Sequence, residues 1–101
     1  MPAVARVNQD TISTGHLCDT TAGISGQLQS KVKIENKIAA VKGDSIAPHT
    51  ILVGEDCVLH SAIINAGSSK VSIAGIPIAR IGDSADAGSV ISGSSKVIAG
   101  G

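Results

Sequence analysis

Gly67-Ser68-Ser69-Lys70-Val71-Ser72-Ile73-Ala74-Gly75-Ile76-Pro77-Ile78-Ala79-Arg80-Ile81-Gly82-Asp83-Ser84 is the stretch that decides the fold. Val71-Ser72-Ile73 and Ile76-Pro77-Ile78 are short β-branched runs on either side of Ala74-Gly75, and they read as two strands about a tight glycine turn. Pro77 has no N–H to donate, so its strand is expected at an edge or a break. Gly82 is placed to take a positive φ, with Asp83 or Ser84 capping the turn through the local backbone. Arg80 is expected to pair with such a turn carboxylate.

The same unit recurs. Val32-Lys33-Ile34, Glu35-Asn36 and Lys37-Ile38-Ala39 form an equivalent hairpin, with Asn36 tolerating positive φ. Val97-Ile98-Ala99-Gly100-Gly101 begins a third. Ser30-Lys31-Val32, Ser69-Lys70-Val71 and Ser95-Lys96-Val97 are one tripeptide; the first two copies lie 39 residues apart and the third follows after 26. Gly43-Asp44-Ser45 and Gly82-Asp83-Ser84 share the 39-residue offset. Val4-Ala5-Arg6-Val7 echoes Ile78-Ala79-Arg80-Ile81, which puts the end of a unit at the N-terminus. One small unit used about three times, in circularly shifted order, explains the layout. No window of 11 or more residues holds a helical pattern. The expected fold is all-β: one domain over residues 1–101, a compact, tapering, pseudo-threefold set of short β-hairpins.

Composition limits what such a domain can do. The chain is 43% apolar with no Phe, Tyr or Trp, so Ile, Val, Leu and Ala must build the core. Apolar burial then barely offsets the loss of conformational entropy in a small domain, and a metal, disulfides or a partner is expected to add stability. Eight Lys and Arg balance eight Asp and Glu, read as scattered along the chain. With no basic patch and no aromatic stacking platform, nucleic-acid binding is not expected. No apolar run reaches the ~18 residues of a membrane span, and the start is too short and polar for a signal peptide. Cytoplasmic assembly follows as an expectation, with both cysteines as thiols rather than a disulfide.

Five nitrogen and sulfur ligands stand in the segments between units: His16 and Cys18 in residues 11–23, and His49, Cys57 and His60 in residues 46–62. Residues 85–90 carry neither His nor Cys. Neutral imidazole and thiolate are ordinary zinc ligands, and closed structural sites take four. The favoured set is His16, His49, Cys57 and His60, with Cys18 the substitute because it shares a strand face with His16 at i+2. The plainer reading makes these surface histidines and buried thiols. A catalytic reading takes three histidines with bound water and Glu55 as base, but no mass is left to form a cleft. Glu55-Asp56 otherwise reads as a solvated loop pair, and no catalytic residue is assigned.

These residues resemble the PAAR-repeat proteins that tip the spikes of contractile injection machines. The motif Pro-Ala-Ala-Arg is similar to Pro77-Ile78-Ala79-Arg80, followed by Ile81-Gly82-Asp83. Pro2-Ala3-Val4-Ala5-Arg6 is a looser version, and Lys37-Ile38-Ala39-Ala40-Val41-Lys42-Gly43-Asp44 keeps Ala-Ala and Gly-Asp without Pro or Arg. The resemblance covers essentially the whole chain. It implies a cone of β-hairpins whose vertex holds one zinc ion through three histidines and a cysteine, here His16, His49, Cys57 and His60; iron is the alternative metal. It implies a non-enzymatic tip on a trimeric β-helical spike protein, VgrG-like or a phage tail spike, in a type VI secretion system or a phage tail. Such a tip carries effectors as separate or appended parts, with no effector domain in this chain, and is delivered outside the cell to pierce a target membrane. The alternative function is a stand-alone zinc-binding module or zinc hydrolase.

Overall fold

The computed structural model describes residues 1–101, and every regular element in it is a β-strand. In chain order these are β1 (Thr11–Ser13), β2 (Thr21–Gly23), β3 (Lys33–Ile34), β4 (Lys37–Ile38), β5 (Ser45–Val53), β6 (Asp56–Ile63), β7 (Ser72–Ile73), β8 (Ile76–Pro77), β9 (Ser84–Ala85) and β10 (Gly88–Val90). Three antiparallel pairs stand alone: β3 with β4, β5 with β6 and β7 with β8. The remaining strands form one sheet in the order β2-β1-β10-β9. The molecule is elongated, 41 × 23 × 23 Å.

The small hairpins form where the sequence places them. β3 and β4 turn on Glu35 and Asn36, at φ 53° and 68°, and β7 and β8 turn on Ala74 and Gly75, at 52° and 80°. Two successive left-handed residues make the turn whose twist matches paired strands. The third hairpin is shared between the chain's two ends. Ala3 pairs antiparallel with Ile98, and the Val4 N–H donates to the Val97 carbonyl at 2.9 Å.

The three units meet in a closed ring. Ala5 N–H donates to the Ala79 carbonyl, Ala79 to Ala40 and Ala40 back to Ala5, each at 2.9 Å. A second cycle surrounds it: Val7 to Ile38, Lys42 to Pro77 and Ile81 to Ala3, at 2.8, 2.8 and 2.9 Å. Three backbones can approach this closely only over small side chains, and all three ring alanines are fully buried. Neighbouring residues on an extended segment point to opposite faces, so the ring separates two cores. Ala5, Ala40 and Ala79 face a cluster with Ile12, Ile24, Ile46, Ile64, Ala85 and Val90. Val4, Ala39 and Ile78 face another with Ile34, Ile73 and Ala99 from the hairpins.

Each unit leaves the ring through a similar turn, closed over three residues in two units and over four in the first. Asp10, Asp44 and Asp83 each accept an N–H at 2.8 Å, from Arg6, Val41 and Arg80. The residues in left-handed conformation are Asn8, Gly43 and Gly82, at φ 61°, 92° and 93°. Arg6 and Arg80 also fork onto Asp10 and Asp83, as their sequence context suggests. The middle unit has Val41 in that place, and Asp44 has no cation.

Residues 46–62, read from the sequence as a segment between units, form most of a two-stranded ribbon. β5 pairs with β6 from Ser45–Ile63 out to Val53–Asp56, closed by Gly54-Glu55. Thr50, Ile51, Leu52 and Val53 facing Asp56 to Leu59 supply the β-branched and apolar content a strand needs. The ribbon stands on the side of the ring away from the hairpins.

Candidate metal centre

His49 in β5 and His60 in β6 face each other in register across the ribbon. Directly opposed residues in antiparallel strands project on the same face. A bulge turns His49 inward. Ile46 pairs with Ala62 and His49 with His60, so β5 carries one extra residue between the pairs. Ile46 and His49 can therefore both be buried although they lie three apart, which strict alternation forbids. Pro48 sits within this irregular step, where a missing N–H breaks no ladder bond.

His16 arrives from the turn after β1. Thr14 is fully buried; its N–H donates to the Thr20 carbonyl at 2.9 Å and its hydroxyl to the Asp19 carbonyl at 2.7 Å. These bonds close a small loop that presents His16. Gly15, at φ 75°, lies so near the Ala87 backbone that a Cβ would collide with it. Glycine thus lets the His16 loop rest against the turn between β9 and β10. That turn carries Asp86, at φ 52°.

The four side chains converge. Nε2 of His16 and Nε2 of His49 each lie 2.7 Å from Asp86 Oδ2, and His60 Nε2 lies 3.2 Å from Oδ1. All the potential ligand atoms are within 4.8 Å of one another. The imidazole centroids are 5.2 Å apart in every pair, with His16 and His49 stacked and His60 edge-on to both. All three segments between units therefore contribute: 11–23 gives His16, 46–62 gives His49 and His60, and 85–90 gives Asp86.

Protons decide what this arrangement can do. His49 Nδ1 is 2.9 Å from the Ala47 carbonyl and His16 Nδ1 is 3.1 Å from the Leu17 carbonyl. A carbonyl only accepts, so both Nδ1 atoms carry hydrogen, and in a neutral ring Nε2 then holds a lone pair. Lone pairs aimed at carboxylate oxygens need a cation among them, either a second proton on the rings or a metal ion. Donation of Nδ1–H to a backbone carbonyl is also how proteins orient a metal-binding Nε2. Burial pushes the Asp86 carboxyl up, but the hydrogen bonds from His49, His16 and His60 outweigh it and hold it below the ordinary 3.8. Burial pushes His49 down, and the Ala47 carbonyl and Asp86 outweigh that, leaving it above 6.5. Three imidazoles and a carboxylate could hold a metal ion, and they are donors that zinc accepts.

The sulfur ligand expected from the sequence is not among them. Cys57 is joined to Cys18 in a disulfide, with Cα atoms 5.9 Å apart, and no free cysteine remains. Neither Cys57 nor its substitute Cys18 offers a thiolate. The reason lies in the ribbon. On a regular strand Cys57 and His60 are about 10 Å apart and, at odd spacing, on opposite faces. Cys18 pairs with Ile51 as an added bridge beside β5, next to the Leu52–Cys57 pair, which brings the sulfurs together. Asp86 takes the fourth place. Its signal in the sequence was position alone: an acid in the third inter-unit segment, equivalent to the two that hold histidines. Glu55, the base of the catalytic reading, sits in the turn about 14 Å along the ribbon from the His49–His60 pair.

Compared with protein-family models and with curated proteins, the sequence matches none.

Proposed function

We propose that this chain is a non-enzymatic piercing tip of the PAAR type, a small cone that caps a trimeric β-helical spike and is pinned at its narrow end by one zinc ion. The observation that carries this reading is the closed hydrogen-bond ring of Ala5, Ala40 and Ala79. One chain folded three times about a ring offers three equivalent surfaces to one partner, which suits a threefold spike end and little else. His16, His49, His60 and Asp86 would hold the zinc on the far side of that ring, each inter-unit segment supplying at least one donor. Bound zinc would tie the β5–β6 ribbon, a separate sheet, to the four-stranded sheet that carries the other two segments, and structural zinc can contribute ~10–16 kcal/mol in small peptides.

Other features support the same reading. The ribbon beyond the histidines exposes Leu52, Val53, Val58 and Leu59, apolar flanks behind an acidic end of Glu55 and Asp56. The Cys18–Cys57 disulfide fixes that end, a bond that would form once the tip has left a reducing cytoplasm. Whether the machine is a type VI secretion system or a phage tail does not alter the role.

The test is co-purification of the chain with a trimeric β-helical spike fragment, with and without added Zn²⁺. Retention on the spike and one zinc per chain are expected. A folded monomer that holds zinc, has no affinity for the spike and shows hydrolytic activity lost on zinc removal would establish the zinc hydrolase instead.

A further inference from the structure

The charges, scattered along the sequence, are segregated in the fold. All six lysines, Lys31, Lys33, Lys37, Lys42, Lys70 and Lys96, lie in or beside the hairpin units, and none makes an ion pair. The acids of that half are occupied. Asp10 and Asp83 bind Arg6 and Arg80, Asp44 caps its turn, and Glu35 meets Arg6 and the Ser94 hydroxyl. The other acids, Asp19, Glu55, Asp56 and Asp86, belong to the ribbon and metal-centre side. A chain of zero formal net charge thus has a cationic hairpin end.

Three of those lysines are equivalent by bonding as well as by sequence. Gln29, Ser68 and Ser94 are buried side chains that each accept two backbone N–H groups, from Lys31 and Val32, Lys70 and Val71, and Lys96 and Val97. The carbonyls of Val32, Val71 and Val97 then accept from Ala39, Ile78 and Val4 at 3.1, 3.0 and 2.9 Å. The three donors, Ala39, Ile78 and Val4, each immediately precede a ring alanine, so the tripeptides are set around the ring. Yet all nine Ser-Lys-Val side chains are exposed. Packing within the chain does not require their identity; the buried caps before them already vary between Gln and Ser.

We infer that the hairpin end is a docking face for a threefold-symmetric protein end whose subunits each present a carboxylate to Lys31, Lys70 or Lys96, around apolar contact with Val32, Val71 and Val97. This rests on the spike-cap reading and adds the face and its chemistry. Charge complementarity selects the partner: three cations around an apolar patch match three acids on a trimer. Exposed valines, 37–41% accessible, supply contact area that water loses on docking.

Two trimeric β-helical spike fragments test this, identical except that the terminal ring carries three glutamates or three glutamines. The glutamate ring is expected to bind more tightly, with the preference fading in about 0.5 M salt. Each of Lys31→Glu, Lys70→Glu and Lys96→Glu should weaken that binding about fivefold, and the triple variant roughly a hundredfold. A thermal melt of the triple variant near the parent's would keep the result about binding. Equal affinity for both rings, unmoved by the triple variant, overturns the charged face while leaving the spike reading intact. Binding to neither ring overturns both. Equal binding to monomeric polyglutamate overturns the threefold match and leaves a nonspecific cationic surface.

Discussion

His49 and Asp86 meet at 2.7 Å across 37 residues of chain, while the other nitrogen of His49 is held by the Ala47 carbonyl at 2.9 Å. The imidazole is clamped from both sides, with Nε2 committed to the shared centre. His16 repeats the arrangement through Leu17. Such pre-oriented donors lose little freedom on taking up a metal.

His49→Ala should therefore lower zinc affinity by at least about 100-fold and remove the zinc-dependent rise in Tm. Titration calorimetry and melts with and without zinc read both effects. An unchanged affinity would place the metal elsewhere.

Without metal, pH acts on the same pair. Asp86 lies below its ordinary 3.8, so its contribution is present above 3.8 and is lost as pH falls through the lower folded value. His49 lies above 6.5, so its contribution is present below 6.5 and is lost as pH rises through the higher folded value. The metal-free protein should gain most from the pair between 3.8 and 6.5, with Tm falling as pH rises further. In excess zinc the trend reverses between about pH 5 and 8, because rings must shed their second proton to bind. Parallel trends in the two series would contradict the shared site.

The disulfide and the metal should act independently. Replacing Cys18 and Cys57 with serine opens a link across 39 residues of sequence and should cost about 4 kcal/mol by loop-closure entropy. Zinc content of the variant should stay at one per chain, and X-ray absorption of the unsubstituted protein should find only nitrogen and oxygen neighbours at about 2.0–2.2 Å. A sulfur neighbour near ~2.3 Å would return Cys57 to the ligand set.

The turn carboxylates should separate by partner. Asp83→Asn leaves the buried Arg80 guanidinium without its carboxylate and should cost about 3 kcal/mol in urea unfolding. Asp44 has no cation, and burial raises its pKa despite N–H bonds from Val41 and Leu28. Its charge opposes folding as pH rises above 3.8, which offsets part of the N–H acceptor lost in Asp44→Asn, so that variant should cost about 1 to 2 kcal/mol at neutral pH, less than Asp83→Asn. Equal losses would contradict the distinction.

What was legible in the sequence follows from where repetition is strict. Ser-Lys-Val and the ring Ala recur in all three units and Gly-Asp in two, with a 39-residue offset between the second and third ring alanines, and the hairpins, turns and Arg–Asp pairs stand where those repeats put them. The clustered histidines were legible as rare residues gathered between units. The fourth member, Asp86, was not, because one aspartate among several has no chemical signature, and only the β9–β10 turn brings it to the histidines. Cys57 misled for a related reason. Three residues from His60 can curl onto one metal in a loop, but not on a strand. The strand itself depends on pairing between β5 and β6 that local sequence only weakly specifies.

The account is tested most directly by weighing the complex. Native mass spectrometry of the chain with a trimeric β-helical spike fragment and Zn²⁺ should give one chain and one zinc for three spike subunits. Three chains per trimer, or no complex at any zinc concentration, would contradict a single-chain threefold cap.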